Sequence, residues 1–118
     1  MSVTIYHNPR CTKSRQGLKL LQEKGIEPVV VEYLKTPINK KILTDILNKL
    51  NMEPRDLMRK NEKDYKDNGL KDKSLSRDDL LEAMVKFPKL IERPVVVSGK
   101  KAALGRPTEN ILNIIYES

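Results

Sequence analysis

The chain has 118 residues, 38% of them hydrophobic and 33% charged, with a formal net charge of +7. That length suits one compact domain with its own core, and a lone cysteine excludes an intramolecular disulfide and a zinc site built from several cysteines. One phenylalanine and no tryptophan leave few stacking surfaces for nucleic acid, and no apolar run approaches the roughly 20 residues of a membrane span.

Residues 2–6 (SVTIY) alternate polar and apolar side chains and are rich in β-branched residues, which predicts a first strand. Asn8-Pro9 then signals a turn. From Thr12 the period lengthens: Gly17, Leu18 and Leu21 share one face of a predicted helix that stops near Lys24-Gly25. Residues 28–34 (PVVVEYL) form a predicted second strand, and the unbroken run Val29-Val30-Val31 suggests burial on both faces, as in a parallel sheet. Residues 2–34 therefore read as a βαβ unit.

A helical stretch follows. Thr36 is the expected N-cap and Pro37 the first helical residue. Ile38, Ile42, Leu43, Ile46, Leu47 and Leu50 are the expected apolar stripe. Pro54 opens a further short helix, and residues 60–75 are highly charged with a turn at Asn68-Gly69. Ser76 and Asp79 form a predicted capping box for a helix that ends before Pro88. Residues 93–107 (RPVVVSGKKAALGRP) read as two strands joined at Ser98-Gly99. Residues 107–117 read as a last helix with Ile111, Leu112 and Ile115 facing inward. A βαβ half and a ββα half are the thioredoxin-like plan. The expectation is an α/β fold with a mixed four-stranded sheet, one domain over 1–118, and a helical insertion over 35–92 between the halves. Such a plan hosts many functions.

Cys11 falls where the first strand gives way to the first helix. Free N–H groups and the helix dipole favour a thiolate there. A thiol of pKa about 8.5 is only about 3% ionised at pH 7, and a pKa of about 6 would make it about 90% ionised. Arg10, Lys13 and Arg15 add positive charge nearby. Ser14, three residues on, can turn its hydroxyl back toward the sulfur. His7, the only histidine, can donate to the thiolate or stabilise the turn. The motif is Cys-x-x-Ser, so no second thiol resolves a mixed disulfide or sulfenic acid, and any redox cycle needs a thiol from outside, such as glutathione.

Arg59, Arg93 and Arg106 stand at structural punctuation, the last two directly before Pro94 and Pro107. Each alone reads as surface charge. Together they offer planar donor forks suited to a tetrahedral oxyanion. Pro94, entering a strand beside the cysteine loop, is a candidate for a cis bond.

Taken in order, YHNPRCTKSR, LMRKNEKDYKDNGL, LIERPVVV and LGRP, with YLKTP after the second strand, resemble the arsenate reductases of the glutaredoxin-linked type over nearly the whole chain. The resemblance implies a thioredoxin-like fold with a helical insertion, and Cys11 as the nucleophile toward arsenate or a similar oxyanion. It implies Arg59, Arg93 and Arg106 as anion-binding residues, with His7 and Ser14 tuning the thiolate. It further implies glutathione as co-substrate and glutaredoxin as reductant, with no tightly bound cofactor and no metal. Arg10 and Thr12 flank Cys11 where plasmid-type members carry smaller residues, which makes the chain look like the chromosomal branch. Two alternatives share the fold: a glutathione-dependent thiol/disulfide reductase and an RNA polymerase-binding transcription regulator, whose redox switch needs a second cysteine at the position of Ser14. The expected setting is a cytoplasmic monomer with a reduced thiol and no nucleic-acid or membrane partner.

Overall fold

In a computed structural model that describes residues 2–115, the chain divides into two units, Met1–Thr36 with Arg93–Ser118, and Pro37–Glu92. The first unit carries a four-stranded sheet in the order β2-β1-β3-β4. Its strands are β1 (Val3–Tyr6), β2 (Val29–Val31), β3 (Val95–Ser98) and β4 (Lys101–Leu104). β1 pairs parallel with β2 and antiparallel with β3, and β3 pairs antiparallel with β4. This is the mixed sheet expected of a thioredoxin-like chain.

Local chemistry explains most of these elements. In β1 the alternation holds, with Val3 and Ile5 buried and Thr4 and Tyr6 half-buried. Helix α1 (Thr12–Glu23) buries Ser14, Gly17 and Leu21 along one face. It ends in a Schellman motif: Gly25 at φ 75° donates to Gln22 O, and Ile26 N donates to Leu21 O. Gly99, at φ 61°, takes the first central position of the two-residue turn between β3 and β4, where only a residue free of Cβ strain sits easily. Val3, Ile5, Leu21, Val96, Ala103, Ile111 and Ile114 make the core of this unit, each large side chain contributing about 1.5–3 kcal/mol when fully buried.

Two expectations in this unit need correction. β2 is parallel to β1 but lies at the sheet edge, so it is not buried on both faces: Val29 is 58% and Val30 43% exposed. The valines suit extended backbone whether or not a second strand covers them. The final helical stretch is a 3-10 turn over Thr108–Ile111 followed by α5 (Leu112–Ile115): Ile111 and Ile114 are buried, Ile115 packs half-buried against the same core as expected, and Leu112 is half-buried without joining it. The expected continuation to residue 117 lies outside the described residues.

The second unit is helical apart from an isolated bridge between Met58 and Ile91. Helix α2 (Lys40–Leu50) starts later than Thr36 and Pro37 suggest, because Asn39 is the cap and its side chain accepts from Ile42 N. Leu43, Ile46 and Leu47 are buried while Ile42 is 38% exposed, so Ile42 lies off the stripe. A 3-10 turn at Pro54–Leu57 matches the short helix expected there. The charged segment contains α3 (Lys63–Asp67), turned by Gly69 at φ 60°. Helix α4 (Arg77–Lys86) carries the expected Ser76/Asp79 capping box and packs on α2.

Candidate active site

The strand register assembles the site. Tyr6 pairs with Val95, and Val95 pairs with Leu104. The residues just past these pairs, His7, Arg93, Pro94, Gly105 and Arg106, therefore meet at one end of the sheet. Helix α1 starts there too, with Cys11 as its N-cap at φ −94° and ψ 124°. Cys11 O accepts the first helical bond from Arg15 N at 3.0 Å, and Cys11 N donates to Asn8 O at 3.0 Å. Asn8 Oδ1 accepts from Arg10 N at 3.0 Å, which tightens the loop. Arg15 also holds it, with Nη1 donating to Pro9 O at 2.9 Å and Nη2 to Thr12 Oγ1 at 3.1 Å.

Cys11 is half-buried, and burial pushes its thiol pKa up. Four opposing influences win: the Ser14 backbone N–H, the Arg93 charge, the Lys13 backbone N–H and the Arg106 charge. The net result is a pKa below the usual thiol value. The first-turn N–H groups of Lys13 and Ser14 are thus the backbone donors that favour the thiolate, as expected at a helix N-terminus. Arg106 is closest in kind to a direct partner, its Nη2 lying 3.7 Å from Sγ.

Arg106 is aimed by backbone contacts. Arg106 Nε donates to Arg93 O at 2.8 Å. Asn110 Nδ2 donates to both Leu104 O and Arg106 O at 3.2 Å, and Gly105 N donates to Pro94 O at 2.9 Å. The Pro94 ring fits between two glycines: a Cβ on Gly17 would lie 2.9 Å from Pro94 Cγ, and one on Gly105 would lie 2.8 Å from it. The Arg93–Pro94 and Arg106–Pro107 bonds are both cis.

His7 and Ser14 form a buried pair, His7 Nδ1 to Ser14 Oγ at 2.7 Å, in which the donor depends on the imidazole tautomer. Asn8 N also donates to Ser14 Oγ, at 2.9 Å. The Ser14 hydroxyl is thus taken up by His7 and Asn8, and what Ser14 presents to Cys11 is its backbone N–H. Burial lowers the His7 pKa, with Glu32 opposing and Arg15 reinforcing that shift, so the neutral imidazole is favoured.

Arg59 belongs to the second unit. There Arg59 N donates to Leu90 O at 2.7 Å and Nη1 to Lys89 O at 3.3 Å. Glu62 and Glu92 lie 3.3 and 4.0 Å from its guanidinium. The structure brings Cys11, Arg93, Arg106, His7 and Ser14 together in the first unit, and surrounds Arg59 with its own carbonyls and carboxylates. Sequence reasoning overlooks Asn110 and Gly105 as parts of the site. Gly105 carries a signal, since a glycine directly before Arg-Pro marks a close backbone approach. Asn110 carries none. Among the described residues no group of three or more His, Cys, Asp or Glu is placed to hold a metal ion, and no helix is long and apolar enough to cross a membrane.

The sequence pattern of the ArsC family matches residues 6–114. The chain is 54% identical over 114 residues to "Uncharacterized protein YfgD" of Escherichia coli strain K12, covering 96% of each. It is 49% identical over 110 residues to the "Arsenate reductase" of Neisseria meningitidis serogroup A, covering 92% of this chain and 94% of that protein. The solved structure "Arsenate reductase from Vibrio cholerae" superposes with a TM-score of 0.95 at 47% identity, covering 98% of both chains.

Proposed function

The chain belongs to the ArsC family, and from that premise we propose that it is an arsenate reductase in which Cys11 is the nucleophile and glutathione and glutaredoxin supply the electrons. The observation that carries this reading is the Arg106 guanidinium 3.7 Å from a sulfur whose pKa is lowered. A thiolate beside fixed cations attracts an oxyanion and attacks its central atom.

In this reading the Cys11 thiolate attacks arsenic, an S–As bond forms, and one oxygen leaves as water. Arg93 and Arg106 neutralise the charge on the remaining oxygens. Arg59 takes an anion role by resemblance alone. Glutathione then forms a second S–As bond and a further oxygen leaves as water. A glutaredoxin thiolate attacks the glutathione sulfur. The new S–S bond replaces the S–As bond, whose electron pair stays on arsenic and reduces it from As(V) to As(III). Water releases arsenite and regenerates Cys11. An external route is needed because the chain has one cysteine. His7 and Ser14 hold the loop so that first-turn N–H groups face the sulfur. The same reading gives a cytoplasmic monomer, where the thiol stays reduced.

The test is a coupled assay with purified protein, arsenate, glutathione, glutaredoxin and glutathione reductase, followed by NADPH consumption. Turnover that needs both glutathione and glutaredoxin supports the proposal. No arsenate turnover, with activity on a glutathionylated substrate, would sink it in favour of a thiol reductase, and turnover with thioredoxin instead would overturn the glutathione part.

A further inference from the structure

We propose that Arg10 and Lys13 form a carboxylate-binding rim on either side of Cys11 that selects an anionic thiol as co-substrate, a reading that rests on glutathione being the external reductant. The cations around Cys11 fall into two groups. Arg93 and Arg106 depress the thiol, and Arg106 also donates to Arg93 O. Arg15 uses both terminal nitrogens to hold Pro9 and Thr12. All three have work within the fold.

Arg10 and Lys13 differ. Both are exposed. Their backbones serve the loop: Arg10 N donates to Asn8, and Lys13 N–H helps to depress Cys11. Their charged ends make no hydrogen bond or ion pair among the described residues. The first turn of α1 has no acidic residue to neutralise them. They stand one residue before and two residues after the sulfur.

That arrangement matches one ligand chemistry well. Glutathione is a short chain with its thiol in the middle and a carboxylate at each end. Exposed cations one residue before and two residues after Cys11 in the chain are of the opposite charge to those carboxylates. Arsenate is compact and is matched by Arg93 and Arg106, so the outer pair is left for the longer anion. Exposed charges of this kind act mainly by steering, and the effect is screened by salt.

Disulfide exchange tests this without arsenate. The Cys11 thiolate attacks one sulfur of a symmetrical disulfide, the old S–S bond breaks, a protein mixed disulfide forms, and the second half leaves as a thiolate that takes a proton from water. Rates are read by intact mass with glutathione disulfide (anionic), hydroxyethyl disulfide (neutral) and cystamine (cationic). We expect the wild type to favour glutathione disulfide over the neutral reagent at low salt. In the double variant Arg10→Ala/Lys13→Ala that ratio should fall about tenfold, and the cystamine rate should rise. Lys71→Ala/Lys73→Ala removes the same net charge from an exposed segment and should leave the ratio unchanged. An equal fall in that control, an equal loss with the neutral disulfide, or an unchanged ratio in the double variant each overturns the rim. So does a defect seen only when glutaredoxin is added, which would assign the rim to a protein partner. A wild type that favours glutathione disulfide yet fails to reduce arsenate keeps the rim and removes the arsenate reading, so the two failures are distinguishable.

Discussion

Two influences compete for one proton at Cys11. Burial favours the thiol, while the helix end and two arginines favour the thiolate and prevail. The pH profile of iodoacetamide alkylation should therefore have its midpoint below that of an ordinary thiol. Arg106→Ala removes a positive charge, so it should move the midpoint upward; an unmoved midpoint would show that the 3.7 Å contact does not act on the sulfur. The same change should lower kcat/KM for arsenate by up to about 10²–10³-fold, the scale of losing one oxyanion donor. His7 offers a second titration. Its folded-state pKa is lowered, so as pH falls below about 6.5 the unfolded chain takes up a proton that the folded chain resists, and stability drops. Thermal melts between pH 7 and 5 should show that drop, and His7→Gln should blunt it, since His7 is the only histidine. Cys11 is legible from sequence because a strand-to-helix junction is a local fact. The partner of Ser14 is not, because the folded loop brings His7 and the Asn8 N–H to its hydroxyl before the sulfur.

Among the elements, the stretch around Pro94 is closely packed beside the turns that carry Arg93 and Arg106. Its ring is flanked by Gly17 of α1 and Gly105 after β4, and a methyl group at either place overlaps it. Gly105→Ala should cost about 1–3 kcal/mol, as overpacking does. Gly17→Ala suffers a similar clash but gains about 1 kcal/mol of helix propensity, so its melting temperature should fall less. Equal melting temperatures for Gly105→Ala and wild type would mean that the ring yields freely. Element types read well from sequence wherever the signal is short-range: the β1 alternation, the Gly25 stop, the Ser76/Asp79 box and the Gly99 turn. The edge position of β2 and the late start of α2 do not. β2 depends on which strands flank β1, and at α2 the Asn39 side chain reaches Ile42 N, so the competing cap at Thr36 is passed over.

For the whole molecule, the alternation of element types is enough to suggest the thioredoxin-like plan, but only the pairing of β1 with β3 and β3 with β4 places residues 7, 93 and 106 at one sheet end. Convergence over nearly a hundred residues of sequence is a property of register, which no local pattern encodes. Charge also acts at this scale. A net +7 attracts small anions before any specific contact forms. Raising ionic strength from about 0.01 to 0.15 M shortens the Debye length from about 30 to 8 Å, so kcat/KM for arsenate should fall while kcat changes little. A kcat/KM indifferent to salt would confine the anion's attraction to the immediate site.

The burial of Ser14 has an evolutionary consequence. A single base change can turn a serine codon into a cysteine codon, and a cysteine there would create Cys-x-x-Cys, a pair of thiols within one motif. Yet Ser14 is fully buried and its oxygen receives the Asn8 N–H. Sulfur is larger and a poor acceptor, so Ser14→Cys would strand that N–H at a cost of about 1–3 kcal/mol. Its melting temperature should fall before any new disulfide is tested. The mutational step toward a second thiol at this loop is short in the gene and steep in the fold.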